Sequence, residues 1–249
     1  MYNKTKENIE EEKLDKYQII AIIAGIILLL VIIVLTSRTR IYKTYQKYMK
    51  IGNKANMTGK DLAFVSKQNL ELDDLEFSLT ETKLGDAYSP KYKTLILSKE
   101  VCNTASLSSL TIVAHELGHA VQHKNSTGLF FLNQLFGKIT HFTNKFIVPL
   151  LVLGLLSYIV KYPTEQLGLT LMIISGCLFG FHVLNMILNI PLEYDASRRA
   201  LKYLKDYKYV SPNEYRKARH LLSIAAQTYI ATLLDGVFIL NKNKKRKKK

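Results

Sequence analysis

Three apolar blocks, residues 17–36, 146–160 and 167–190, limit what this chain can fold into, because none of them contains Asp, Glu, Lys or Arg. A helix of about twenty apolar residues crosses a hydrocarbon core, and the first block has that length. It is a retained anchor rather than a signal peptide. Residues 1–16 before it are mixed-charge, with the acidic run Glu10, Glu11, Glu12, and the TSRTR after it offers no small-residue cleavage site. The other two blocks, joined by KYPTEQ with Pro163, predict a transmembrane helical hairpin, the shorter one extended by Phe142 and Tyr162. A soluble helical hairpin is the competing reading. Arg38, Arg40, Lys43, Lys47 and Lys50 follow the first block and put that side in the cytoplasm, with Lys4, Lys6, Lys13 and Lys16 competing.

The blocks divide the chain into a polar extension (1–16), an anchor (17–36), a cytoplasmic region (37–145), the hairpin (146–190), a second helical region (191–240) and a basic tail (241–249). Residues 221–240 contain Gln227, Asp235 and Gly236. They form a core or interfacial helix, since spanning the membrane would export the lysine-rich tail. The net charge of +15 is concentrated in that tail, from Lys242 to Lys249. Such a run is a solvated end or a contact for anionic headgroups. No RNA-binding signature, aromatic–basic interleaving or helix-turn-helix signal accompanies it, which argues against nucleic acid as partner. Cys102 stands in a polar segment and Cys177 in an apolar block, so they form no disulfide framework.

Within the cytoplasmic region, Thr58 precedes a periodic apolar pattern to residue 70, the mark of a capped helix. Residues 75–79 predict a short strand. The segment GDAYSPKYKTLILS predicts a hairpin turning at Ser89 and Pro90, with a strand at 94–97. The next helix runs from Ser106 through His123.

That helix carries His115-Glu116-Leu117-Gly118-His119, an HExxH pattern. Residues four apart project from one helix face, so both imidazoles can hold one ion, and neutral imidazole suits zinc. Glu116 points to the side, toward a metal-bound water whose proton it can take. With six His and 20 Asp or Glu in the chain, chance gives this spacing in roughly one sequence per hundred. Gly118 and Ala120 keep the adjoining surface small, suiting close packing against other backbone.

A catalytic zinc site needs a third protein ligand and one open position. His123 is eight residues, roughly 12 Å along a helix, from His115, too far for the same ion, and the HExxHxxGxxH extension is absent. Glu193, in PLEYDASRR, re-emerges from the last apolar block on the same side as HExxH. Asp195 is the neighbouring alternative, and a plain salt bridge from Glu193 to Arg198 or Arg199 is the structural one. His182, Asn185, Asn189 and Glu193 share one helix face, which is either interhelical hydrogen bonding or a hydrated groove toward the metal. His220, Tyr229 and Arg198 are candidate oxyanion donors.

HELGH after a strand-like segment, then a hydrophobic hairpin, then PLEYDASRRA, resembles the YugP-like neutral zinc membrane metallopeptidases. The similarity runs from the anchor through YSPKYKTLILS to AAQTYIATLL. More distantly, EYDAS is similar to the EYxAD motif of HtpX-like membrane metallopeptidases, departing at Ser197, where those carry Asp. The resemblance implies His115, His119 and Glu193 as zinc ligands, Glu116 as catalytic base, and a strand at 94–97 that flanks the cleft and pairs with substrate backbone. The expected fold is a mainly α integral membrane protein with a small zincin-like α+β element on the cytoplasmic side. It is expected to be a multi-pass cell-membrane enzyme hydrolysing protein or peptide substrates, with membrane proteins as candidates, and with Zn2+ as cofactor. A zinc-binding scaffold or chaperone-like protein without hydrolysis is the alternative, and a membrane tether acting through its basic tail is a further one.

Overall fold

The computed structural model describes residues 36, 39–125 and 128–238. Apart from Thr36, the anchor expected at 17–36 lies outside the described residues, as does the tail 241–249. The chain is mostly helical, with one small mixed sheet. Helix α1 covers residues 39–49. It is followed by α2 (Gly59–Asn69), β1 (Glu76–Thr80), β2 (Ala87–Ser89), β3 (Thr94–Ser98) and α3 (Lys99–Asn103). Then come α4 (Leu107–Lys124), α5 (Gly128–Val160), α6 (Glu165–Asp206) and α7 (Pro212–Phe238).

The helix starts follow their capping residues. Thr58 Oγ1 accepts from the Asp61 N–H, and the Asp61 carboxylate accepts from the Thr58 N–H at 2.9 Å, a reciprocal box that opens α2. Ser106 does the same for α4 by accepting from the Ser109 N–H. Leu107, Leu110, Val113, Leu117 and Ala120 recur at helical spacing along α4 and are buried, making it the centre of the core. Tyr45, Leu62, Leu95, Val101 and Leu204 close around it from α1, α2, β3, α3 and α6.

The sheet order is β1-β3-β2, with β1 parallel and β2 antiparallel to β3. The expected hairpin therefore forms, but the strand expected at 94–97 is the middle strand, and both of its edges are occupied. It cannot pair with substrate backbone. Strands β1 and β2 are the two edges of the sheet, and β2 is the one that packs against α4.

Helices α5 and α6 form a long antiparallel pair, and both are long and apolar enough to cross a membrane. Their common seam is small and polar. A Cβ on Gly168 would lie 2.5 Å from the Tyr158 backbone nitrogen, and the Ser175 hydroxyl donates to the Ile147 carbonyl at 2.8 Å. The Asn185 amide donates to Thr140 Oγ1 at 3.1 Å, and Asn133 donates to Asn189. Seen from outside the pair is apolar, with Leu153, Leu156, Ile159, Ile173 and Leu184 exposed.

One buried stripe runs the length of α6. Gly168, Ser175, His182, Asn185 and Asn189 face α5, and the stripe continues through Leu192, Ala196 and Ala200 onto α4. The helix passes through Pro191 without ending. At 1.5 Å per residue it is roughly 60 Å long, about twice a hydrocarbon core, so a helix that crosses a bilayer also reaches the core around α4. Helix α7 buries Ala218, Leu221, Leu222 and Ile224 against the same core. Cys102 and Cys177 are both free.

Candidate metal centre

His115 and His119 stand one turn apart on α4, their ring centroids 4.8 Å from each other. Glu193, on the stretch of α6 that crosses α4, reaches both. Its Oε2 is 3.2 Å from His115 Nε2 and its Oε1 is 3.6 Å from His119 Nε2. Among the described residues these three form the group of metal-ligating side chains, with one donor atom from each lying within 4.8 Å of the others. Tetrahedral zinc with bonds of 2.0–2.1 Å separates neighbouring donors by roughly 3.3 Å. Two imidazole nitrogens and a carboxylate oxygen at the observed spacing fit that ion.

Both rings are held from behind. The His119 Nδ1 is 3.0 Å from Gln122 Oε1, and the His115 Nδ1 is 3.3 Å from Ser197 Oγ. Both partners can accept an Nδ1–H, the tautomer that leaves Nε2 free for a metal. Gln122 is fully buried, and its amide donates at 2.9 Å both to the Leu192 carbonyl and to Asp195 Oδ2. It thus grips α6 on either side of Glu193 while orienting His119. Ser197 supplies an uncharged acceptor.

Asp195 has other partners. Arg199 Nε and Arg198 bond it at 2.6 and 2.5 Å, which leaves Glu193 without the arginine partners that the sequence allowed. Burial raises the Asp195 carboxyl, but Gln122 and the arginines outweigh it and bring it down to about 2. Burial also opposes the Glu193 charge, and the two imidazoles overcome this to hold the carboxyl well below its usual range. The same contacts act in reverse on His119. Burial disfavours its charged form, yet Glu193 and Glu116 push the imidazole up to about 9.

Glu116 is half-buried, and desolvation raises its carboxyl, while His115 and His119 pull the other way. Its Oε2 accepts the Tyr88 N–H at 2.8 Å. Tyr88 sits opposite Leu95 on β3, and since its N–H turns outward to Glu116, its carbonyl lies on the same free edge. Glu116, Tyr88 and the three clustered side chains line one cavity of about 760 Å³.

His123 lies apart from this cluster, bonded to the Tyr88 hydroxyl at 2.8 Å and stacked on Phe130. His220 is 3.0 Å from the Tyr48 hydroxyl and Arg198 is taken by Asp195. Neither lines the cavity, and the side chain of Tyr229 lies outside the described part. The polar face of α6 is buried against α5, and of His182, Asn185 and Asn189 only Asn189 lines the cavity. Gln122 and Tyr88 escaped the sequence argument. Gln122 left a trace, one turn beyond His119 on the same helix; Tyr88 acts through its backbone and left none.

Two helical imidazoles and a carboxylate delivered by a second helix are the donor set of a single-zinc protein. The chain belongs to the family described as "Putative neutral zinc metallopeptidase", whose model matches residues 22–243, and zinc is the cofactor of that family. It is similar to "Putative membrane protease YugP" of Bacillus subtilis (strain 168), with 28% identity over 201 residues, 81% of this chain and 85% of the relative. No solved structure matches it at a significant level.

Proposed function

We propose that this chain is a membrane-embedded zinc metallopeptidase in which His115, His119 and Glu193 hold the metal and Glu116 is the general base. The observation that carries this reading is the convergence of those three donors within 4.8 Å beside a second carboxylate, that of Glu116. When bound there, zinc polarises a substrate carbonyl and makes water more acidic. Glu116 takes a proton from the attacking water as the water oxygen bonds to the carbonyl carbon. It returns that proton to the amine nitrogen as the C–N bond breaks, so no covalent enzyme intermediate forms. Burial favours this role, because a carboxylate with raised pKa accepts the proton more readily. The Tyr88 N–H holds Glu116 in place, and the free edge of β2 offers a pairing strand for an extended peptide.

Helices α5 and α6 cross the bilayer as a hairpin in this proposal, with residues 17–36 as a further span and the zincin-like region on the cytoplasmic side. Their exposed apolar flanks support that placement, as does the word membrane in the relative's name. The test is zinc content of the purified full chain for wild type, His115→Ala and Glu193→Ala, together with hydrolysis of an unfolded polypeptide by Glu116→Gln. The expected result is about one zinc in wild type, loss in the first two variants, and a zinc-loaded but inactive Glu116→Gln. Hydrolysis that survives Glu116→Gln sinks the mechanism. Zinc without hydrolysis in the wild type leaves a binding scaffold.

A further inference from the structure

We infer that the cleft selects extended peptide segments with bulky apolar side chains around the scissile bond and rejects acidic ones. The inference rests on the peptidase reading above and names its substrate class. Five helices supply the walls: Tyr42 from α1, Ile112 from α4, Phe130 from α5, Leu192 from α6, and Leu221 and Leu222 from α7. A cavity of about 760 Å³ has room for several side chains beyond the reacting carbonyl. Apolar groups entering it exchange water for apolar wall, and each buried methylene favours binding.

The charge pattern narrows the substrate further. The chain has 35 lysines and arginines, yet among the described residues none lines this cavity. Its acidic side chains are Asp86, Glu116 and Glu193, and no lysine or arginine stands beside them. Asp86 is fixed at the β2 end of the cleft, where it accepts the Ser98 N–H at 2.6 Å and the Ser98 hydroxyl at 3.2 Å. An incoming Asp or Glu finds no lysine or arginine to pair with and stands beside fixed carboxylates, so its desolvation is poorly offset. A phospholipid headgroup meets the same repulsion. The free β2 edge, with the Tyr88 carbonyl facing the cleft, complements a peptide backbone and not an acyl chain.

Binding and hydrolysis can be separated in the test. The full chain is reconstituted in lipid nanodiscs with zinc, as Glu116→Gln for binding and as wild type for hydrolysis, with empty nanodiscs as control. The probes are two short fluorescent peptides, identical except that one carries Leu-Phe and the other Asp-Glu at the centre. The Leu-Phe peptide is expected to bind more than about tenfold tighter. Tyr42→Arg places a cation at the rim on an exposed position and is expected to shrink that ratio through improved binding of the acidic peptide. Equal binding, or tighter binding of the acidic peptide, overturns the inference whether or not wild type cleaves. Preference without hydrolysis keeps it and overturns the peptidase reading instead.

Discussion

A Cβ on Gly118 would lie 2.6 Å from the carbonyl oxygen of Ala196, so α4 and α6 touch backbone to backbone between the two histidines and Glu193. No side chain fits there without moving one helix. Gly118→Ala is expected to push Glu193 away from the imidazoles and to weaken zinc binding by about tenfold or more, with helix content unchanged. Chelator competition together with circular dichroism reads both, and undiminished zinc affinity in the variant would count against the contact as the spacer of the site.

Gln122 joins His119 to α6 through the Leu192 carbonyl and Asp195. Gln122→Leu removes the acceptor behind His119 and strands the Leu192 carbonyl. Zinc affinity is expected to fall by about 10–100-fold, with stability lowered by about 1–3 kcal/mol. An isothermal zinc titration and a thermal melt of the metal-free protein would separate the two. Loss of stability alone would reduce Gln122 to a packing residue.

Ser197 gives His115 Nδ1 an uncharged partner at 3.3 Å. Ser197→Ala is expected to weaken zinc binding and Ser197→Asp to strengthen it, since a carboxylate makes the imidazole a better donor. Equal affinity in all three forms would show that the hydroxyl contact does not reach the metal.

Burial raises the carboxyl of Asp86, against the opposing hydrogen bonds of Ser98. An acid whose pKa is higher folded than unfolded stabilises the fold below its ordinary 3.8 and loses that contribution as pH rises through the folded value. Asp86→Asn keeps the acceptor for the Ser98 N–H and removes the charge. Its melting temperature relative to wild type is expected to be higher at neutral pH, with the gain vanishing below pH 3.8. A gain that is the same at every pH would trace to something other than ionisation.

Gly168 packs against the backbone of Tyr158 across the α5–α6 seam. Gly168→Val overfills that contact and is expected to cost about 1–3 kcal/mol. Faster protease cleavage near the turn between α5 and α6 would record the loosening, and an unchanged digestion pattern would speak against a tight seam.

Local signals in the sequence sufficed for α2 and α4, because Thr58 and Ser106 cap them and their apolar residues recur at helical spacing. The same periodicity placed His115 and His119 on one face, and hydropathy placed Glu193 at the exit of the last apolar block. What depended on distant contacts was hidden. The parallel pairing of β1 with β3, which makes 94–97 a central strand, has no local cue. Whether the polar face of α6 lines a groove or a seam depends on how α5 docks, and Thr140 and Asn133 decide that by bonding Asn185 and Asn189. Gln122 looked like any polar residue near a helix end until its partners on α6 were visible.

His115 and Glu193 are separated by 78 positions, and all of α5 and the first two thirds of α6 lie between them. While the ribosome is still making that pair, the nascent chain offers two imidazoles and no carboxylate to complete them. The centre closes only after the hairpin has formed and brought its far arm back to α4. A chain stalled before that point carries HELGH but no finished site. The hydrolytic power proposed for this fold therefore cannot precede the folding of the hairpin that carries its third ligand.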